Sequence, residues 1–260
     1  MKTVGKVYLV GAGPGAEDLL TVRAARLLAA ADVVFYDALV PAAIVALATR
    51  AQKIAVGKRC GAHSTAQLFI NRRLIEAARQ HAIVVRLKGG DPMLFGRAQE
   101  EIDALDDAGI AVEVVPGVTA AVAASAALKV SLTRRGVSRN VVFATPRVGK
   151  MERESDWIAA AALADTAVVY MGAREADALA DALTRRGLAA STPVAIVENA
   201  SIDDERCVVG TLGDLGRLAA ALGGGPAIVV IGQVLREKLA AERLRAAKRE
   251  SARTRVRRAS

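Results

Sequence analysis

Cysteine is scarce in this 260-residue chain: Cys60 and Cys207 stand far apart, neither beside a second thiol. Without close-spaced cysteines there is no disulfide framework and no thiolate metal site, and free thiols fit a reducing cytoplasm. Histidine is equally rare, with only His63 and His81, so no metal centre is expected. Aromatic residues make up 3% of the chain, and no apolar run approaches the roughly 18–20 residues of a membrane helix. The N-terminal apolar stretch is short, broken by glycine and proline, and followed by Glu17-Asp18, so no signal peptide is expected. Acidic residues are in deficit, 27 against 36 Lys and Arg, for a net charge of +9. From Arg236 to Ser260, ten Lys and Arg face three Glu, a net of +7 that leaves only +2 for the rest. The excess therefore reads as a solvated, partly frayed helical tail rather than a nucleic-acid surface.

What the chain does have is length for a sizeable core and an alternation of β-rich and helical segments. The pattern predicts strands near residues 6–10, 33–37, 53–56, 83–87 and 112–115. A second series follows near 140–144, 166–171, 193–197, 206–211 and 226–231. Helices are expected over 21–31, 66–80, 98–108, 120–128 and 174–186, with Thr21 as an N-cap. Two α/β domains with mostly parallel sheets follow, over residues 1–116 and 117–235, with a tail over 236–260. The turn pair Pro116-Gly117 marks the boundary.

The first strand runs into "GAGPGA", which matches the dinucleotide fingerprint G-x-G-x-x-G/A, with Asp37 about twenty residues on. The context argues against that use. Pro14 and Gly15 discourage helix, and the next helix signal is Thr21, so the loop is too long to set a helix N-terminus against a pyrophosphate. Three further glycine loops end strands: "KGGDP" with Gly89, Gly90 and Asp91, "PGVTAA" with Gly117 and Thr119, and "YMG" with Met171. Each alone is compatible with a tight turn, a helix cap or a core methionine. Together they suggest a cleft for a small adenosine-like ligand at the carboxyl ends of strands.

The segments "VYLVGAGPGAEDLLT", "DVVFYDALV", "VGKR", "VRLKGGDPMLFGR", "PGVTAA", "VVYMG" and "PVAIVENAS" occur in the order and spacing of a known family. Over roughly residues 4–235 the chain resembles the uroporphyrinogen-III C-methyltransferases of the tetrapyrrole methylase superfamily. That resemblance implies the tetrapyrrole methylase fold, a homodimer, and S-adenosyl-L-methionine bound in a cleft between two α/β domains, with S-adenosyl-L-homocysteine as product. It implies methylation of uroporphyrinogen III at C-2 and C-7 to precorrin-2, for sirohaem and cobalamin synthesis. By the same resemblance Pro14, Gly89, Gly90, Asp91, Leu94, Thr119, Ala120, Met171 and Ala200 contact the cofactor. Asp37 of "FYD" is then the proton acceptor and Lys58 of "VGKR" the proton donor. No metal, membrane or nucleic-acid partner is implied. The eight substrate carboxylates would favour cations at the cleft, for which Lys58, Arg59, Arg86, Lys88 and Arg97 are candidates.

Two departures stand out. Relatives carry "LTHR" where this chain has Leu132-Thr133-Arg134-Arg135, and "TGH" where it has Ala144-Thr145-Pro146. Both remove a histidine, which bears on substrate preference rather than on the cofactor pocket. Because the first strand begins near the sixth residue, a stand-alone methyltransferase is expected. A later corrin precursor as substrate, and a methylase of the same fold acting on RNA or protein, remain the alternatives.

Overall fold

The structure, a computed structural model, describes residues 4–56, 63–148 and 155–259. The chain folds as two compact units, Met1–Ala123 and Ala124–Ser260. The division falls inside a helix of small residues, where no turn residue marks it, and not at Pro116-Gly117.

In the first unit the order is β1 Lys6–Gly11, α1 Val22–Ala30, β2 Val33–Tyr36, α2 Ala42–Ala46 and β3 Gln52–Ala55. Then come α3 His63–Ala78, β4 Ile83–Lys88, α4 Ala98–Asp107, β5 Val112–Val115 and the start of α5 Ala120–Leu128. The sheet runs β3-β2-β4-β1-β5, and every neighbouring pair is parallel. A parallel sheet is covered on both faces, so its strands read as apolar runs. Val34, Val85 and Leu87 pack with Leu28 of α1 and Ile44 of α2. On the opposite face Val33, Phe35 and Val84 pack with Leu74 of α3 and Leu105 of α4. Each such side chain contributes about 1.5–3 kcal/mol by leaving water. Thr21 caps α1 as expected, its hydroxyl accepting the Ala24 N–H at 3.1 Å. The chain leaves β1 toward α1 and β4 toward α4, on opposite faces. Adjacent strands with diverging exits make the crevice where open α/β sheets bind ligands.

The second unit contains β6 Val141–Ala144, α6 Trp157–Leu163, β7 Thr166–Tyr170, α7 Ala176–Arg185 and β8 Pro193–Glu198. It continues with β9 Arg206–Thr211, α8 Leu215–Ala220, β10 Ala227–Gly232 and α9 Arg236–Ala259. The order is β6-β7-β10-β8-β9. Here the expectation of a mostly parallel sheet needs correction. Only β6 and β7 pair in parallel, while β10 pairs antiparallel with β7 and β8, and β8 antiparallel with β9. Strands separated by a helix still share a direction, but β10 enters between β7 and β8 against both. Leu179 and Leu183 of α7 and Leu215 of α8 pack on Val169, Ile196 and Val229. Helix α9 is unbroken from Arg236, and its start belongs to this unit: Leu239 is buried and Glu237 accepts from Arg134 at 2.7 Å. Among the described residues no helix is long and apolar enough to cross a membrane.

Candidate functional site

In the first unit the loops after β1, β4 and β5 are fastened to one another through backbone. Gly13 and Gly90 form an isolated bridge, Gly90 donating to the Gly13 carbonyl at 2.7 Å and Gly13 to Gly90 at 3.2 Å. Gly90 adopts φ +66°, a conformation that glycine takes without strain. Gly117 is packed so closely that a Cβ on it would collide with the Gly90 carbonyl oxygen and with Gly11. Asp91 ties the third loop in, with Oδ2 accepting the Gly117 N–H at 2.9 Å and Oδ1 the Met93 N–H at 2.8 Å. A hydrogen bond to a charged group is worth about 1.5–3 kcal/mol. Asp91 therefore serves first as a fastener between loops, and only its remaining lone pairs are available to a ligand.

Pro14 lies half-buried in the β1 loop, between Gly13 and Gly15, both at positive φ. The long loop before α1 is confirmed, since a single 3-10 turn at Glu17–Leu19 precedes the helix start at Val22. Gly89 stands open, because a Cβ there would meet only the Leu39 Cβ, at 3.4 Å. Leu94 is half-buried, and Ala120 begins α5, with the Thr119 carbonyl just before it accepting from Val122 and Ala123. These predicted residues meet at the carboxyl ends of β1, β4 and β5. Met171 and Ala200 belong to the second unit, where they follow β7 and β8 on either side of the start of β10. Met171 is 44% exposed and Ala200 is buried. A cavity between α6 and α7, lined by Trp157, Leu179 and Arg186 among others, holds none of the predicted residues.

Asp37 follows β2, beside β4, with its side chain 30% exposed. Its Oδ1 accepts from Arg86 Nη2 at 2.6 Å. Lys58, Arg59 and Cys60 lie outside the described residues. Arg86 and Lys88 require a correction. Alternation along β4 turns both onto the α3–α4 face, where they are 2% and 3% exposed and so are not cations at a cleft surface. Arg86 Nε donates to Glu101 Oε1 at 3.0 Å, and Lys88 Nζ to both Glu101 oxygens at 3.1 and 3.2 Å. Gln67 donates to the same carboxylate at 3.2 Å and to Asn71 at 3.0 Å. Burial opposes the Arg86 charge, but Glu101 and Asp37 outweigh it and hold the guanidinium above its ordinary value. For Lys88 the balance reverses: burial and the nearby Arg86 charge push the ammonium below its ordinary value despite Glu101. Arg97 is exposed and forks onto Glu100 at 2.6 and 2.7 Å.

Composition did not reveal Glu101 as the centre of this network, although buried charges at alternate strand positions demand a counter-ion. A second missed feature is backbone strain. Phe95 and Arg97 after β4, Met171 after β7, and Asn199 and Ser201 after β8 all take φ between +52° and +73°. Left-handed geometry costs a side-chain-bearing residue about 1–2 kcal/mol. Such strain concentrates where surrounding structure holds a loop in a required shape. The two lost histidines leave Arg134, which pairs with Glu237, and Pro146.

Residues 6–216 match a family model described as Tetrapyrrole (Corrin/Porphyrin) Methylases. The chain belongs to the tetrapyrrole methylases. This methylase is 47% identical over 231 residues to a siroheme synthase of Zymomonas mobilis, covering 88% of the chain and 49% of that protein. It thus spans about half the length of the curated relatives it matches. Among solved structures it is similar to the native uroporphyrin III C-methyl transferase from Thermus thermophilus, at TM-score 0.78 and 38% identity. That match covers 89% of this chain and 94% of the other. The same Thermus enzyme complexed with S-adenyl homocysteine gives TM-score 0.77 at 39% identity and the same coverage. A cobalamin biosynthetic enzyme, cobalt precorrin-4 methyltransferase, gives TM-score 0.77 at 28% identity, covering 88% of this chain and 95% of that one.

Proposed function

We propose that this methylase uses S-adenosyl-L-methionine to methylate uroporphyrinogen III at C-2 and C-7, giving precorrin-2 and S-adenosyl-L-homocysteine. The observation that carries the proposal is the likeness to the Thermus uroporphyrin III C-methyl transferase over 94% of that chain at 38% identity. The residues of the first unit fit a methyl donor. Gly89 leaves its backbone open to close approach, and the fastened β1, β4 and β5 loops make a preformed wall. Pro14, Gly89, Gly90, Asp91, Leu94, Thr119 and Ala120 would hold the donor, and Met171 and Ala200 are proposed as further donor contacts. When bound, the donor supplies an electrophilic sulfonium methyl group and needs no metal. The protein's share is to hold the donor and the electron-rich pyrrole carbon at attack distance and to exclude water. Asp37 would accept the proton, or steady positive charge developing on the ring, and Lys58 would donate one. We further propose that the chain works as a cytoplasmic homodimer.

Anaerobic incubation with uroporphyrinogen III and labelled S-adenosyl-L-methionine, followed by product mass, tests this. Two labelled methyl groups per tetrapyrrole are expected. No transfer to uroporphyrinogen III, with transfer to a later corrin precursor, would replace the proposal with the second reading, which the 0.77 likeness to the cobalt precorrin-4 methyltransferase favours.

A further inference from the structure

We propose that Arg86 is the positioning residue for Asp37, fixing its carboxylate as the accessible end of a buried charge network. The inference rests on the reading that Asp37 acts on the substrate. An aspartate at a strand end ordinarily turns freely about χ1 and χ2. Here Oδ1 is held by Arg86 Nη2 at 2.6 Å, and the guanidinium is itself immobile. Its Nε is bound to Glu101 at 3.0 Å and its Nη1 to the Leu87 carbonyl at 3.3 Å, with the side chain 2% exposed. Glu101, fully buried, is held in turn by Lys88 and Gln67, Gln67 by Asn71, and Asn71 by the Glu100 carbonyl at 3.0 Å. The restraint therefore runs from α3 and α4 across β4 to the end of β2.

Charge counting supports a task beyond cohesion. Arg86 and Lys88 carry two positive charges, and Glu101 and Asp37 carry two negative ones. Of these four, three are at most 4% exposed, and Asp37 at 30% is the member that reaches outward. Burying such ions is costly compared with the Val and Leu that fill the same strand, so stability alone is a weak reason for the cluster. A planar fork locked at several nitrogens is, however, well suited to orient a carboxylate. Lys88 also directly precedes Gly89, Gly90 and Asp91 in the chain, so the network adjoins the proposed donor loop.

The test is a double-mutant cycle on the full chain with Arg86→Lys, Arg86→Met, Asp37→Ala and Asp37→Ala/Arg86→Lys. Readouts are kcat and KM for uroporphyrinogen III methylation and the S-adenosylhomocysteine Kd by calorimetry. Arg86→Met should lower kcat roughly a hundredfold, and Arg86→Lys, which keeps the charge without the fork, roughly tenfold. KM and Kd should move less than about twofold. In the Asp37→Ala background, Arg86→Lys should cost less than about twofold more, because the group it positions is gone. An Arg86→Lys loss of the same size in both backgrounds would overturn the proposal, as would a loss confined to KM or to S-adenosylhomocysteine affinity. If Arg86→Met does not fold, the Lys cycle decides alone. Asp37→Ala at the wild-type rate would also overturn it. Absence of methylation by the wild type would instead refute the substrate reading, a different pattern from a missing coupling.

Discussion

The two units set their candidate loops by different physical means. In the first, loop geometry is imposed from outside each loop, by Gly13–Gly90 pairing, Asp91 reaching Gly117, and a buried network ending at Asp37. In the second, Met171, Asn199 and Ser201 take left-handed conformations immediately after apolar strands, as Phe95 and Arg97 also do after β4 in the first, so part of the shape there lies in the backbone itself. A single substitution in the first unit should therefore propagate between loops. One in the second should stay local.

The largest expected effect is Glu101→Gln, which leaves Arg86 and Lys88 facing one carboxylate and costs about 3–5 kcal/mol in urea unfolding. A loss under 1 kcal/mol would mean the network is not the anchor of its unit. Next comes Gly117→Ala, whose added methyl must push Gly90 and Gly11 apart. It should cost about 1–3 kcal/mol and weaken S-adenosylhomocysteine binding in the same titration series. By contrast Met171→Gly relieves a positive φ of 58°, so stability should change by less than about 1 kcal/mol while donor affinity falls. Were it to unfold the second unit, the claim of local geometry there would be lost. The smallest effect is at Asp214, whose carboxyl is lowered to about 2 by the Arg217 side chain and then by Thr211. A folded-state value below the unfolded one adds stability above about pH 4 and loses it as pH falls toward 2. The Tm difference between wild type and Asp214→Asn should therefore be present at pH 6 and vanish near pH 2.

Much of the fold was legible because strand and helix periods alternate cleanly. All ten strand positions follow from apolar runs bounded by turn residues, and Thr21 from its hydroxyl ahead of an apolar helix. Antiparallel entry of β10 was not legible, because a helix-containing connection announces a shared direction only between the two strands it joins. The one strand pair without a helix between them, β8 and β9, does reverse, and the short stretch Asn199–Glu205 was the available clue. Short helices α2, α6 and α8 lack a full amphipathic repeat and went unread. At the site, the glycine loops were visible as letters. That Gly90, Gly11 and Gly117 serve one another's packing was not, since it depends on which strands become neighbours. Arg86 and Lys88 read as surface cations until alternation on β4 and the distant Glu101 turned them inward.

We propose that fastening of the β1, β4 and β5 loops creates the methyl-donor wall. Calorimetric titration of S-adenosylhomocysteine into the wild-type chain and Asp91→Ala tests it most directly. The wild type should bind, and Asp91→Ala, which releases both the Gly117 and Met93 N–H groups, should bind with a roughly tenfold weaker Kd. Equal affinity in a folded Asp91→Ala protein, or no binding to the wild type, would contradict it.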